Sequence, residues 1–169
     1  PESIDDILAA IALYRPGPMD SIPKYIEGKN APEKIKYLHP MLESILRSTN
    51  GCIVYQEQVM SIFRTVAGYS LGRADLVRRA MSKKKADVMA AERSSFIDGA
   101  KQRGMGEQTA SELFDEMSSF ASYAFNKSHA AAYAVISFRT AYLKAHYPCE
   151  YFSALLTSVL GTPEKVAEY

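Results

Sequence analysis

Apolar residues recur at positions 4, 7, 8 and 11 between Ile4 and Tyr14, one stripe at the spacing of a helix. Tyr14-Arg15-Pro16-Gly17-Pro18 ends that pattern, because proline blocks further helix and biases the residue before it towards extended geometry. Positions 19 to 39 hold prolines, several lysines and little periodicity, and predict a loop-rich surface segment. A short helix is expected after Pro40, ending near Ser48, with Asn50-Gly51 as a turn. Gln56 to Ala67 predicts another helix, with Val59, Met60, Ile62 and Phe63 on its inner side and Gly68 just past its end. Ser70 stands where it can cap Leu71 to Met81. Ala86 to Arg103 predicts a longer helix closed by Gly104. Glu107 to about Ser122 starts with an acid, where the helix dipole favours one. Ser128 to Tyr147 is the most apolar helix and reads as buried, ended by Pro148; Glu150 to Leu160 follows and stops at Gly161.

No run alternates with period two over more than a few residues, and Cys52-Ile53-Val54-Tyr55 is the sole strand candidate. The expected fold is all-α, a compact domain of about eight to nine helices with a loop-rich N-terminal part. No fixed-period repeat is visible, although short helices leave a solenoid open. With 47% hydrophobic and 23% charged residues, the 169-residue chain has the balance of a folded globular protein. Two separated cysteines, Cys52 and Cys149, and no basic leader or long apolar span point to a cytoplasmic protein with free thiols. The chain opens on Pro1 rather than Met and closes on the helix-like Glu164-Lys165-Val166-Ala167-Glu168-Tyr169, the pattern expected of a piece cut from something longer.

A net charge of +1 carries no argument for nucleic acid, so the distribution has to. Arg73, Arg78, Arg79, Lys83, Lys84 and Lys85 fall within thirteen residues, opposed only by Asp75. On a helix Arg79 and Lys83 share a face, while Val77, Ala80 and Met81 form a stripe that would dock on a core. A solvated face accounts for such a run on its own. Two features favour a polyanion: Glu107, Glu112, Asp115 and Glu116 cluster on a different helix, and paired arginines suit bidentate contact with phosphate oxygens. A second candidate is Asn126-Lys127-Ser128-His129, at the start of the apolar helix. Helix starts present unpaired backbone N–H groups and a partial positive charge. With Ser128 read as the cap, Lys127 just before it and His129 in the first turn, a phosphate or sugar pocket is possible; a plain cap and a surface histidine account for these residues equally well.

Two-metal phosphoryl transfer needs closely spaced carboxylates, and the sequence has no Asp-x-Asp. Asp5-Asp6 diverge on a helix, and His146-x-x-Cys149 lacks a second ligand pair. No catalytic residue and no metal site is therefore expected in this chain.

Several motifs in order resemble the fingers of bacterial DNA polymerase III alpha subunits. They are Tyr14-Arg15-Pro16-Gly17-Pro18-Met19, Lys36-Tyr37-Leu38-His39-Pro40, Val54-Tyr55-Gln56-Glu57-Gln58-Val59-Met60 and Ala67-Gly68-Tyr69-Ser70-Leu71-Gly72. Ala74-Asp75-Leu76-Val77-Arg78-Arg79-Ala80-Met81 with Lys83-Lys84-Lys85, Phe125-Asn126-Lys127-Ser128-His129-Ala130-Ala131-Ala132-Tyr133 and Leu143-Lys144-Ala145-His146-Tyr147-Pro148 continue it to Ala154-Leu155-Leu156-Thr157-Ser158. The resemblance implies a C-family DNA-directed DNA polymerase whose palm, with its magnesium-binding aspartates, lies outside this chain, so that the piece alone is inactive. It implies that Arg78, Arg79, Asn126, Lys127, Ser128 and His129 bind the incoming deoxynucleotide triphosphate. Arg73, Lys83, Lys84 and Lys85 are then candidates for DNA or phosphate contact. Template-primer DNA would be a partner, other replicase subunits such as the sliding clamp would bind elsewhere, and no membrane is implied. Residues 1–160 would be the fingers domain and 161–169 the start of the next domain or a linker. Ser82 and Ser122 stand where relatives commonly have glycine, and the stretch after Tyr133 is closer to a divergent or second-copy polymerase, which leaves a main or an accessory replicase open. Without the resemblance, a DNA-binding helical module or a scaffold for an acidic protein would also fit the cations.

Overall fold

The computed structural model describes residues 1–83, 86–121 and 123–169, with backbone alone at 86 and 87. Lys84, Lys85 and Ser122, three residues singled out from the sequence, lie outside the described residues. Among the described residues ten α-helices run in chain order: α1 (Ile4–Leu13), α2 (Ile22–Asn30), α3 (Glu43–Leu46), α4 (Gln56–Ala67), α5 (Leu71–Ser82), α6 (Ala86–Gln102), α7 (Glu107–Ala121), α8 (Lys127–His146), α9 (Pro148–Ser158) and α10 (Pro163–Glu168). Short 3₁₀ turns fill Pro18–Ser21, Pro32–Lys34, Pro40–Leu42 and Arg47–Thr49. There is no strand among the described residues; the Cys52–Tyr55 candidate is extended and makes one isolated parallel bridge, Tyr55 to Phe125. The fold is all-α.

The expected helix ends hold where side chains set them. Ser70 accepts from the Arg73 N–H and starts α5, and Gly68 takes a left-handed φ of 75° to end α4. The loop expected over 19–39 is wrong in its centre, where α2 forms. Pro23 falls in the first helical turn, where its missing N–H costs nothing, and only Tyr25 and Gly28 are buried, with Ile22 packed at the edge of the core, too few to mark a stripe. Gly28 is required by packing: a Cβ there would stand 2.5 Å from the Asn50 carbonyl oxygen.

Two cores divide the chain. The larger joins Leu42 and Leu46 to α4, α5, α6 and α7 around Phe63, which packs on Tyr69, Phe96 and Phe114. The smaller holds α1, Tyr25 and the first half of α8, through Leu8, Ala12, Leu13, Ala130 and Ala134. The extended Cys52–Tyr55 segment serves both, since Ile53 enters the larger core while Cys52, Val54 and Tyr55 enter the smaller. Cys52, Ile53 and Val54 alternate as in an extended chain, and Tyr55, at the start of α4, breaks the alternation. Gln58 fixes this segment from below: its Oε1 accepts from the N–H groups of Val54 (2.8 Å) and Tyr55 (2.9 Å), and its Nε2 donates to Ile45 O and Thr49 Oγ1.

The expectation of a buried helix over 128–147 is corrected. α8 buries only Ala130 and Ala134, and Ile136, Phe138, Tyr142 and Leu143 face outward. Its apolar residues run round the helix, and α1 and α9 cover only parts of that circumference. Both cysteines are free; burial pushes the Cys52 thiol up, and Cys149 is exposed. Residues 161–169 are exposed, with α10 among them. No helix of the described residues is long and apolar enough to cross a membrane.

Candidate nucleotide-contact surface

Ala74, Val77 and Met81 dock α5 on the larger core, with Ala80 buried beside them, as the stripe in the sequence requires, and leave Arg79 facing outward. The cations are not unopposed, however. Asp75 Oδ1 accepts from Arg78 Nε (3.2 Å) and Nη2 (2.8 Å), and Asp75 Oδ2 lies 2.8 Å from Arg79 Nη2. These bonds, Arg78 first, hold the Asp75 carboxyl below the usual carboxylate range. Arg78 keeps only 14% of its side chain exposed while Arg79 keeps 65%, so Arg79 is the outer member of the pair.

Arg73 is drawn off to another partner. Its guanidinium lies over the Tyr69 ring, 4.0 Å from the centroid, and bonds Glu92 Oε2 at 3.0 Å. The same carboxylate oxygen accepts from the Tyr69 hydroxyl at 2.8 Å; burial, then Glu92, pushes that hydroxyl up. Lys83 caps the C-terminus of α5, which ends at Ser82, so Arg79 and Lys83 do not continue one long helical face. Three of the four acids of α7 turn out to be paired within the fold, Asp115 with Arg93, Glu107 with Lys101 and Glu116 with Lys24, in largely exposed ion pairs.

At the start of α8 the cap is Asn126, not Ser128. Asn126 Oδ1 accepts from the His129 N–H at 2.8 Å, which places Lys127, Ser128 and His129 in the first turn. The partial positive charge there is already met in part, because both oxygens of Glu57 accept from the Lys127 backbone N–H at 3.1 and 3.2 Å. Asn126, Lys127, Ser128 and His129 are all exposed. The Lys127 ammonium stands 5.5 Å from the centre of the Tyr55 ring, and the His129 ring lies between Phe125 and Tyr133.

Two sets of contacts hold this helix start in place. Gln56 N–H donates to Phe125 O, Phe125 N–H to Val54 O and Gln56 Nε2 to Ala124 O, which pins the beginning of α8 to the beginning of α4. From the other side Arg15 lies over the Phe125 ring at 4.6 Å and donates to the carbonyls of Ala12 and Tyr123. Gly17, at a φ of 105°, lets Tyr123 approach so closely that no Cβ would fit. The Tyr14–Pro18 motif, read from the sequence as a helix stop and as part of the family resemblance, is thus a clamp on the loop before α8.

The two candidate regions are linked through Ser82. Its hydroxyl donates to Ala121 O at 2.8 Å and to Arg78 O at 3.2 Å, tying the last turn of α5 to the last residue of α7. Six chain steps lead from Ala121 to Lys127, a span of at most about 22 Å. Arg15, Glu57 and Gln58 were missed as site-building residues: the partners of Arg15 and Glu57 near α8 lie seventy or more positions away, and the bonds of Gln58 go to backbone and hydroxyl groups that periodicity does not mark. Among the described residues no three His, Cys, Asp or Glu side chains group as metal ligands.

The family described as bacterial DNA polymerase III alpha subunit finger domain matches residues 1–104, which include α5 and its arginines. Proteins named DNA polymerase III subunit alpha align over essentially the whole chain, α8 included. That of Halalkalibacterium halodurans is 50% identical over 166 residues, covering 98% of this chain and 15% of its own length. That of Thermus aquaticus is 51% identical over 174 residues (100% and 14%), and that of Bacillus subtilis 49% over 169 residues (100% and 15%). The chain spans about 15% of the length of the curated relatives it matches.

Proposed function

The chain belongs to the bacterial DNA polymerase III alpha subunit finger domain family, and from that premise we propose that it binds the triphosphate of an incoming deoxynucleotide next to template-primer DNA. The parent would be a cytoplasmic DNA-directed DNA polymerase whose magnesium-binding carboxylates lie outside this chain. Other replicase subunits, the sliding clamp among them, would dock elsewhere on it.

The observation that carries this reading is the Arg78–Arg79 pair, joined by Asp75 on a helix whose other side is anchored in the core, with Arg79 exposed and Arg78 largely covered beside it. Arginine suits the role because its planar fork matches phosphate oxygens and keeps its charge at every working pH. In nucleotidyl transfer negative charge moves onto the leaving pyrophosphate. Fixed cations aimed at those oxygens stabilise the transition state more than the ground state. Arg79, the more exposed, would make the main contact, with Arg78 behind it. Asn126, Lys127, Ser128 and His129 would line the same cleft. Because Glu57 and Asn126 already occupy N–H groups at the start of α8, the Lys127 ammonium and His129 ring would contribute there, more than the helix dipole. Arg73, engaged by Glu92 and Tyr69, is the weakest of the phosphate candidates.

Single-nucleotide incorporation on a primed template by the full-length polymerase tests the reading. Arg78→Ala/Arg79→Ala is expected to lower kcat/KM by about two orders of magnitude, with partial rescue at high nucleotide and DNA affinity largely kept. Equal activity at every nucleotide concentration would withdraw the arginine pair from the triphosphate.

A further inference from the structure

Neighbouring positions on an α-helix point about 100° apart. Two adjacent arginines left to themselves would therefore spread their guanidinium groups round the helix. Asp75 stands three residues before Arg78 and four before Arg79, the two offsets that share a helix face. Its carboxylate divides between them: Oδ1 holds Arg78 through two donors, and Oδ2 holds Arg79 Nη2 at 2.8 Å. One anchor thus brings both groups to the same side of α5. Arg73 does not compete for it, being paired with Glu92.

The bonds to Asp75 occupy two of the five N–H donors of Arg78 and leave three for a ligand. A flexible arginine loses side-chain entropy when it grips a phosphate, and one already held loses less. The carboxylate also has a cost, since its negative charge opposes the triphosphate. Which effect is larger decides whether Asp75 helps or competes, and the shared, two-sided geometry favours help. Resting on the reading of the arginine pair as a triphosphate site, we infer that Asp75 is a positioning residue that orients Arg78 and Arg79 towards the nucleotide without touching it.

The test compares nucleotide KM and kcat of the full-length polymerase in primed-template incorporation, for Asp75→Asn, Asp75→Glu, Arg78→Ala/Arg79→Ala and the triple variant. Asp75→Asn is expected to raise the nucleotide KM about fivefold, the scale of one partly exposed ion pair, with kcat changed less. Asp75→Glu recovers part of the loss, and Asp75→Asn adds nothing once both arginines are gone. A KM that is unchanged or lowered in Asp75→Asn, while the double-arginine variant raises it, overturns the inference and leaves the triphosphate reading standing. An equal loss from Asp75→Asn with and without the arginines overturns it too, because a structural role would behave so. A normal KM in the double-arginine variant removes both. Should Asp75→Asn fail to fold, Asp75→Ala at this half-exposed position gives the same comparison.

Discussion

Replacing Gln58 by Met keeps the length and bulk of the side chain and deletes its polar end. Four hydrogen bonds go with it, but they do not cost the same. The Val54 and Tyr55 N–H groups are buried and lose the Gln58 oxygen that both share. Thr49 loses only a donor, since its hydroxyl still donates to Cys52 O at 2.6 Å and to Leu46 O at 3.2 Å. Ile45 is half-buried, so water can replace the amide at its carbonyl. Two orphaned buried donors at about 1–3 kcal/mol each give an expected destabilisation of about 2–6 kcal/mol. That is a large share of the roughly 5–15 kcal/mol that holds a domain of this size together. Urea denaturation of wild type and Gln58→Met measures it, and hydrogen exchange at the Val54 and Tyr55 amides should quicken in the variant. A loss under about 1 kcal/mol with both amides still protected would show that water or a shifted backbone satisfies these groups, and the hub assignment would fall.

Gly99→Ala tests the approach of α6 to α4. Alanine should favour a helix interior by about 1 kcal/mol, yet its Cβ would run into the Ala67 carbonyl oxygen, so a net loss of about 1–3 kcal/mol is expected; a gain in Tm would refute the close contact. Asp6 joins α1 to α2, accepting from Lys29 Nζ at 2.6 Å and from the Glu2 and Ser3 N–H groups, and these bonds, Lys29 first, lower its carboxyl to about 2. A depressed folded-state value means the stabilisation is complete above the unfolded value near 4 and is lost as pH falls through about 2. The stability difference between wild type and Asp6→Asn, about 1–2 kcal/mol at neutral pH, should therefore shrink between pH 5 and pH 2.5; a difference that stays constant would show that Asp6 gains nothing from its charge.

The sequence alone determined what depends on near neighbours. Helix ends at Gly68, Ser70, Gly104 and Pro148 are decided by one residue's backbone freedom, cap or missing N–H, so they are legible without a fold. The stripe of Val77, Ala80 and Met81 likewise told which side of α5 is buried, and hence that Arg79 faces out, although not that Arg78 is mostly covered. A long ordered set of motifs carried the family. Tertiary structure decided the rest. α2 buries only Tyr25 and Gly28, with Ile22 at the core's edge, a pattern too thin to separate from loop. α8 is apolar enough to be buried, yet burial depends on which neighbours cover it, and its own composition says nothing of them. The pairing of Glu57 with the Lys127 N–H, or of Arg15 with Tyr123 and Phe125, joins residues about seventy to more than a hundred positions apart. Local periodicity records the face a residue takes on its own helix; it holds no record of the charge or ring that a distant segment brings to that face.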